Sequence, residues 1–165
     1  MPLKSNELSN FDILKILKNQ KININGIFMK DQLPNLKTGF YIVNLASEKA
    51  HNGGTHWLAF YYTPERSYYM DAYGEIAPLE IHNKIRPYIY NMKQIQDYDS
   101  SSCGYYCIAF ILYMNNEKNK LDAFLKFIKL FSNDTKETDK ILCNYCIIDF
   151  SINSIFFEDF LCFIK

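Results

Sequence analysis

Four residues of this chain have the types and order that nucleophilic acyl transfer uses: His56, Asp71, Gln96 and Cys103. Cys103 follows the polar run Asp97-Tyr98-Asp99-Ser100-Ser101-Ser102 and opens an apolar segment that reads as a helix. Its sulfur would then sit where free backbone N–H groups and the positive end of the helix dipole favour a thiolate. The plainer use of such a residue is as a small apolar side chain in the core. A cysteine nucleophile needs a base for its proton, and the chain has three histidines: His51, His56 and His82. His56 lies between Gly53-Gly54-Thr55 and Trp57, the single tryptophan, at the mouth of a predicted strand that would hold the imidazole against an apolar wall. His82 falls on a predicted amphipathic helix, and His51 precedes a glycine loop with no fixing neighbours.

A basic imidazole needs an acceptor on its second nitrogen, and Asp71, ending the next predicted strand, can face His56 across a hairpin. Asp71 could equally start the turn Asp71-Ala72-Tyr73-Gly74. Glu75, Asp97 and Asp99 are weaker orienting candidates because they lie in loops. Acyl transfer also needs donors aimed at the developing oxyanion. The Gln96 amide, seven residues before Cys103, could share that task with the Cys103 backbone N–H. Gly104, next to the nucleophile, would let substrate or a loop approach closely, against a helix cost of about 0.5–1 kcal/mol relative to Ala.

The elements that must position these groups follow from apolar spacing. Ser9 or Asn10 caps a short helix ending near Gln20, with Phe11, Ile13, Leu14, Ile16 and Leu17 approximating a buried face. Ile22 to Gly39 reads as irregular, broken by Asn23, Asn25, Gly26, Pro34 and Gly39. Buried strands are expected over Phe40 to Leu45, Trp57 to Tyr62 and Ser67 to Asp71. A helix is expected from Leu79 to about Tyr90, with its end blurred by Pro87, and a short strand from Met92 to Gln96. Cys103 to Met114, apolar nearly all round, reads as a buried central helix, and Leu121 to Phe131 as an amphipathic one with Asp122 in its first turn. Ile141 to Phe163 is apolar and of ambiguous type. The expected class is α+β: a central mixed sheet carrying His56 and Asp71, packed on a buried helix with Cys103 at its N-terminus.

At 165 residues, 48% hydrophobic, the chain reads as one domain spanning 1–165. Its 18 basic and 18 acidic residues balance, so nothing in the overall charge draws it to nucleic acid or an anionic membrane. The N-terminal MPLKSNELSN carries no apolar core of a secretory signal, and no run is long enough to span a bilayer, so a soluble intracellular protein is expected. Five cysteines, an odd number, argue for reduced thiols rather than a disulfide framework. Cys143-Asn144-Tyr145-Cys146 has the spacing of half a zinc knuckle, but no second pair follows, and core cysteines are the favoured reading of Cys107, Cys143, Cys146 and Cys162.

The ordered set Gly54-Thr55-His56-Trp57, then Tyr69-Met70-Asp71-Ala72-Tyr73-Gly74, then Gln96 and Cys103-Gly104 resembles the adenovirus-type (adenain-like) maturation proteases and their cellular relatives, the SUMO-specific proteases. Leu8-Ser9-Asn10-Phe11-Asp12-Ile13 and Gly26-Ile27-Phe28-Met29-Lys30-Asp31-Gln32-Leu33-Pro34 are similar to the start of the protease of virophages and polinton-type elements. The resemblance covers roughly the first two thirds of the chain. It implies a papain-like fold with His56 as base, Asp71 as its orienter, Gln96 in the oxyanion hole and Cys103 as nucleophile. Trp57, Gly54 and Gly104 would bound a narrow groove for small residues, giving cleavage after Gly-containing sequences. Asp71 matches the SUMO-protease form, where adenoviral enzymes carry Glu.

By the same resemblance the expected substrates are viral capsid or scaffold precursors, cut in the host cytoplasm or inside the virion by a monomeric enzyme. Removal of ubiquitin-like modifiers is the alternative, and a non-catalytic structural or zinc-binding protein, with Cys103, Cys107, Cys143, Cys146 and Cys162 as core or zinc-binding residues, is the remote one. No metal or other cofactor is expected. Adenoviral relatives are basic and stimulated by DNA, whereas this chain is neutral, so DNA stimulation is not expected. No cysteine lies between Asp71 and Cys103, so a peptide activator would bind non-covalently.

Overall fold

The computed structural model describes residues 7–47, 55–140 and 142. Its first helix, α1 (Asn10–Asn19), starts at a capping box: the Ser9 hydroxyl accepts from the Asp12 N–H, and the Asp12 carboxylate accepts from the Ser9 N–H at 2.9 Å. Only Ile13 and Leu17 of its apolar residues are fully buried, while Phe11 and Leu14 face solvent, so the buried stripe is narrower than the sequence suggests.

Five strands then form one mixed sheet in the order β1 (Gly26–Met29), β2 (Gly39–Asn44), β3 (Trp57–Tyr62), β4 (Ser67–Met70) and β5 (Tyr88–Tyr90). The central β2–β3–β4 meander is antiparallel, and each edge strand pairs in parallel. Strands β2, β3 and β4 lie where the apolar runs place them. Three expectations are corrected. β1 occupies the stretch read as irregular, because four half-buried residues between turn formers leave no alternation to detect. No strand covers Met92 to Gln96. The fifth strand comes earlier, since helix α2 (Leu79–Ile85) stops short of the expected Tyr90, with Arg86 extended ahead of Pro87.

The sheet is covered on both faces. One face packs Tyr41, Val43, Leu58, Phe60 and Tyr69 against Ile81 and Ile85 of α2. The other packs Phe40, Ile42, Ala59 and Met70 against α3 (Cys103–Asn116), with α1 and α4 (Lys120–Lys129) beyond it. Helix α3 is buried around nearly its whole circumference, as its lack of a polar face requires. Helix α4 begins where the Asn119 side chain accepts from the Asp122 N–H, and packs Phe124 and Phe127 edge-on to Phe110. A last described helical stretch covers residues 135–140. The apolar tract Ile141 to Phe163 lies, apart from buried Leu142, outside the described residues. The architecture is therefore α+β, a mixed sheet resting on a buried helix. Among the described residues no helix is long and apolar enough to cross a membrane.

Candidate active site

Strand β3 begins at Trp57 and the antiparallel β4 ends at Met70, so His56 and Asp71 emerge at the same end of neighbouring strands. The register pairs Ala59 with Met70; continued outward, it sets His56 opposite Tyr73, with Asp71 on the diagonal. Across that diagonal His56 Nε2 meets Asp71 Oδ1 at 2.8 Å, and both residues are buried. The same Oδ1 accepts the Tyr73 N–H at 2.8 Å, so a backbone donor fixes the carboxylate. Behind it, the buried Asn91 amide clamps the Asp71 backbone: Oδ1 accepts from the Asp71 N–H and Nδ2 donates to the Asp71 carbonyl.

Cys103 is the first residue of α3 and is 7% exposed. The Tyr105 and Tyr106 N–H groups turn back to the Ser102 carbonyl, and no side chain caps the helix start. An uncapped helix end presents N–H groups and positive potential to whatever lies at Cys103. Cys107, one turn on, is fully buried, and burial pushes its thiol well up, which suits an inert core residue.

With Asp71 on Nε2, the free face of the imidazole is Nδ1. No well-aligned acceptor or donor holds that nitrogen, yet Cys103 lies close enough to favour the protonated ring. Burial opposes imidazolium formation, but the Asp71 hydrogen bond, the Cys103 side chain and the charges of both overcome it and raise the His56 pKa to about 9. The ring is further fixed by Tyr73, stacked on it at a centroid separation of 4.3 Å, and Tyr73 in turn meets Tyr98.

Gln96 is fully buried on a loop hung from the carbonyl of Ala72, next to Asp71, which accepts from both the Ile95 and Gln96 N–H groups. Gly74 makes that docking possible. Its φ is +76°, and a Cβ there would lie 2.8 Å from the backbone carbon of Lys93. Gln96 Nε2 donates to the Ser100 carbonyl at 2.8 Å, which assigns the amide orientation and leaves Oε1 buried without a partner. The amide has a second N–H available.

The Trp57 indole N–H donates to the Leu8 carbonyl at 2.9 Å. Leu8 also explains Gly104, since a Cβ at that position would stand 3.1 Å from Leu8 Cβ. Of the two uses expected of this glycine, close approach of a chain segment is the one seen, and the segment is the residue before the α1 cap. A cavity of about 510 Å³ opens beside this contact, lined by Leu8, Asn10, Phe28, Gln32, Asn44 and Trp57 among others. Gly54 and His51 lie outside the described residues. His82 hydrogen-bonds Tyr88 from α2, and Asp97 accepts from Asp99 and Thr135, so neither joins His56.

Tyr73, Asn91 and Leu8 were not singled out by sequence reasoning. Tyr73 had a usable signal, its place two residues after Asp71; Asn91 and Leu8 act through chain segments distant in sequence. Among the described residues no group of three or more His, Cys, Asp or Glu could hold a metal ion. Cys143 and Cys146 lie outside them.

No family model matches the chain, and no curated protein sequence does. Among solved structures it is similar to ChlaDub1 from Chlamydia trachomatis, at 15% identity and a TM-score of 0.44, over 92% of this chain and 80% of that one.

Proposed function

We propose that the chain is a cysteine protease in which Cys103 attacks a peptide carbonyl, His56 carries the proton, and Asp71 orients His56. The observation that carries this reading is the buried 2.8 Å His56–Asp71 bond on Nε2, which leaves Nδ1 toward a cysteine at a helix N-terminus. The raised pKa of His56 keeps the Cys103 proton on Nδ1 at neutral pH as the sulfur bonds to the carbonyl carbon. The resulting oxyanion takes hydrogen bonds from the Cys103 N–H and the second Gln96 N–H. His56 then protonates the leaving amine as the C–N bond breaks, leaving a thioester. Water, deprotonated by His56, hydrolyses the thioester and restores the thiol.

The substrates we propose are capsid or scaffold precursors of a virus or virus-derived element, cut after small or Gly-containing sequences, with a monomeric enzyme acting in the host cytoplasm or the virion. The resemblance of the segments around Leu8 and Gly26 to virophage and polinton proteases supports this choice. Removal of ubiquitin-like modifiers is the second reading, supported by the motif order shared with SUMO-specific proteases. Comparing turnover of Gly-containing capsid-type peptides with ubiquitin and SUMO aminocoumarin conjugates separates the two. Faster cleavage of either conjugate reverses the ranking, and equal activity of Cys103→Ala on all of them defeats the protease reading.

A further inference from the structure

Asp139 is a buried carboxylate that the chemistry above leaves unused. It projects from the helical stretch 135–140 onto the loop that carries Gln96. Its Oδ2 accepts the Asp97 N–H at 2.8 Å, its Oδ1 accepts the Tyr106 hydroxyl at 2.8 Å, and it also hydrogen-bonds the Ser100 side chain. Tyr106 stands one turn after Cys103 on α3, and its hydroxyl is also 2.8 Å from the Ile95 carbonyl. A second tie runs from Thr135 Oγ1 to the Asp97 carboxylate at 3.4 Å.

These contacts converge on one tight turn. Asp97 and Ser100 are its ends, joined by the Ser100 N–H to the Asp97 carbonyl at 3.1 Å, and Asp139 holds both. The carbonyl of the residue that closes that turn, Ser100, accepts from Gln96 Nε2. That bond alone decides which way the amide faces, since Oε1 has no partner. If the turn shifts, the Gln96 donor shifts with it, while His56, next to the start of β3, and Cys103, on α3, need not move.

We propose that Asp139, with Tyr106, is a positioning residue for the oxyanion donor: it braces the 97–100 turn so that the Ser100 carbonyl aims the Gln96 amide. The inference rests on the protease reading and deepens it. A carboxylate that merely stabilised the fold would depress all functions of the site together. One that acts through Gln96 depresses acyl transfer and spares the reactivity of the thiol.

The test measures kcat and KM on a peptidyl-Gly-Gly aminocoumarin amide, and separately the rate of Cys103 alkylation by iodoacetamide, a displacement that forms no oxyanion. Removal of an oxyanion donor costs about 10²–10³ in kcat, so misaiming one by Asp139→Ala should cost about 10- to 100-fold. KM and the alkylation rate should stay within about twofold. In a Gln96→Ala background the same substitution should cost less than about threefold, because residues acting through one another are not additive. Tyr106→Phe, which removes only the hydroxyl, should repeat the pattern more weakly and serves where Asp139→Ala does not fold. Unchanged kcat in the folded variants, or an undiminished loss in the Gln96→Ala background, overturns the inference and leaves the protease reading standing. A wild-type chain without Cys103-dependent turnover overturns both.

Discussion

The Tyr73 ring lies face to face with the His56 imidazole, 4.3 Å between centroids and 16° from parallel. The two residues are tied a second way, because the Tyr73 N–H donates to the Asp71 oxygen that also holds His56. Tyr73 therefore fixes both the ring and its orienting carboxylate, and a π face against the protonated ring adds attraction. Tyr73→Phe keeps the stack and the backbone donor and should stay within about twofold of wild-type kcat, while Tyr73→Ala, which uncovers the ring, should lose on the order of tenfold. Steady-state peptide cleavage by the two variants distinguishes them; equal loss in both would assign the effect to the phenol hydroxyl instead.

Asp71 and His56 should not be equivalent on substitution. Asp71→Asn preserves an oxygen for the Tyr73 N–H and takes away only the charge and the tautomer preference at Nε2. His56→Ala deletes the proton carrier. His56→Ala should reduce kcat/KM to background, and Asp71→Asn should retain measurable activity, about 10²- to 10⁴-fold below wild type. Activity in His56→Ala at or above that of Asp71→Asn would refute the assigned roles.

The pH dependence follows from the raised His56 pKa of about 9. A group that binds its proton more tightly when folded stabilises the fold fully below its unfolded value, near 6.5, and that contribution is lost as pH rises through about 9. The wild-type Tm should fall over this interval more steeply than that of His56→Gln, which has no proton to lose. Parallel Tm profiles for the two proteins would show that the His56–Asp71 pair does not stabilise the protonated ring.

Gly104 and Trp57 hold the N-terminal segment from two sides. Gly104→Ala gains helix propensity of about 0.5–1 kcal/mol but drives a methyl to 3.1 Å from Leu8 Cβ, an atom that moves only with its backbone. Overpacking wins because Leu8 cannot retreat while Trp57 holds its carbonyl. A net loss on the order of 1 kcal/mol is expected, and Trp57→Phe should cost a similar amount through the lost hydrogen bond. Thermal melts of both variants check this; a stabilised Gly104→Ala would show that the segment yields freely.

The parts of the fold visible in the sequence are those with one dominant period. Trp57–Tyr62 is a continuous apolar run and Cys103–Asn116 has no polar face, so one reads as a buried strand and the other as a buried helix. From those two elements, and Asp71 ending the next run, the meeting of His56 with Asp71 can be anticipated. β1 could not, because its pairing partner, β2, rather than its own pattern makes it a strand. Tyr88–Tyr90 continues the apolar spacing of α2, and only the proline between them hints at the break. Gly104 is ambiguous in the sequence for a physical reason: a glycine beside Cys103 has the same appearance whether it admits a substrate or a chain segment, and Leu8 is the segment that packs there. The clamps by Asn91 and Asp139 depend on segments 20 and 42 residues away in sequence, a distance at which local pattern carries no information.

The central claim is that Cys103, and not another thiol, is the nucleophile activated by His56. Intact-mass and peptide-mapping spectrometry of the folded protein after brief exposure to a peptidyl-Gly-Gly vinyl ester tests it directly. The account predicts one adduct, on Cys103, formed at least about tenfold more slowly in His56→Ala, with Cys107 unlabelled. An adduct that forms on Cys103 at the same rate without His56, or peptide cleavage that survives Cys103→Ala, would contradict it.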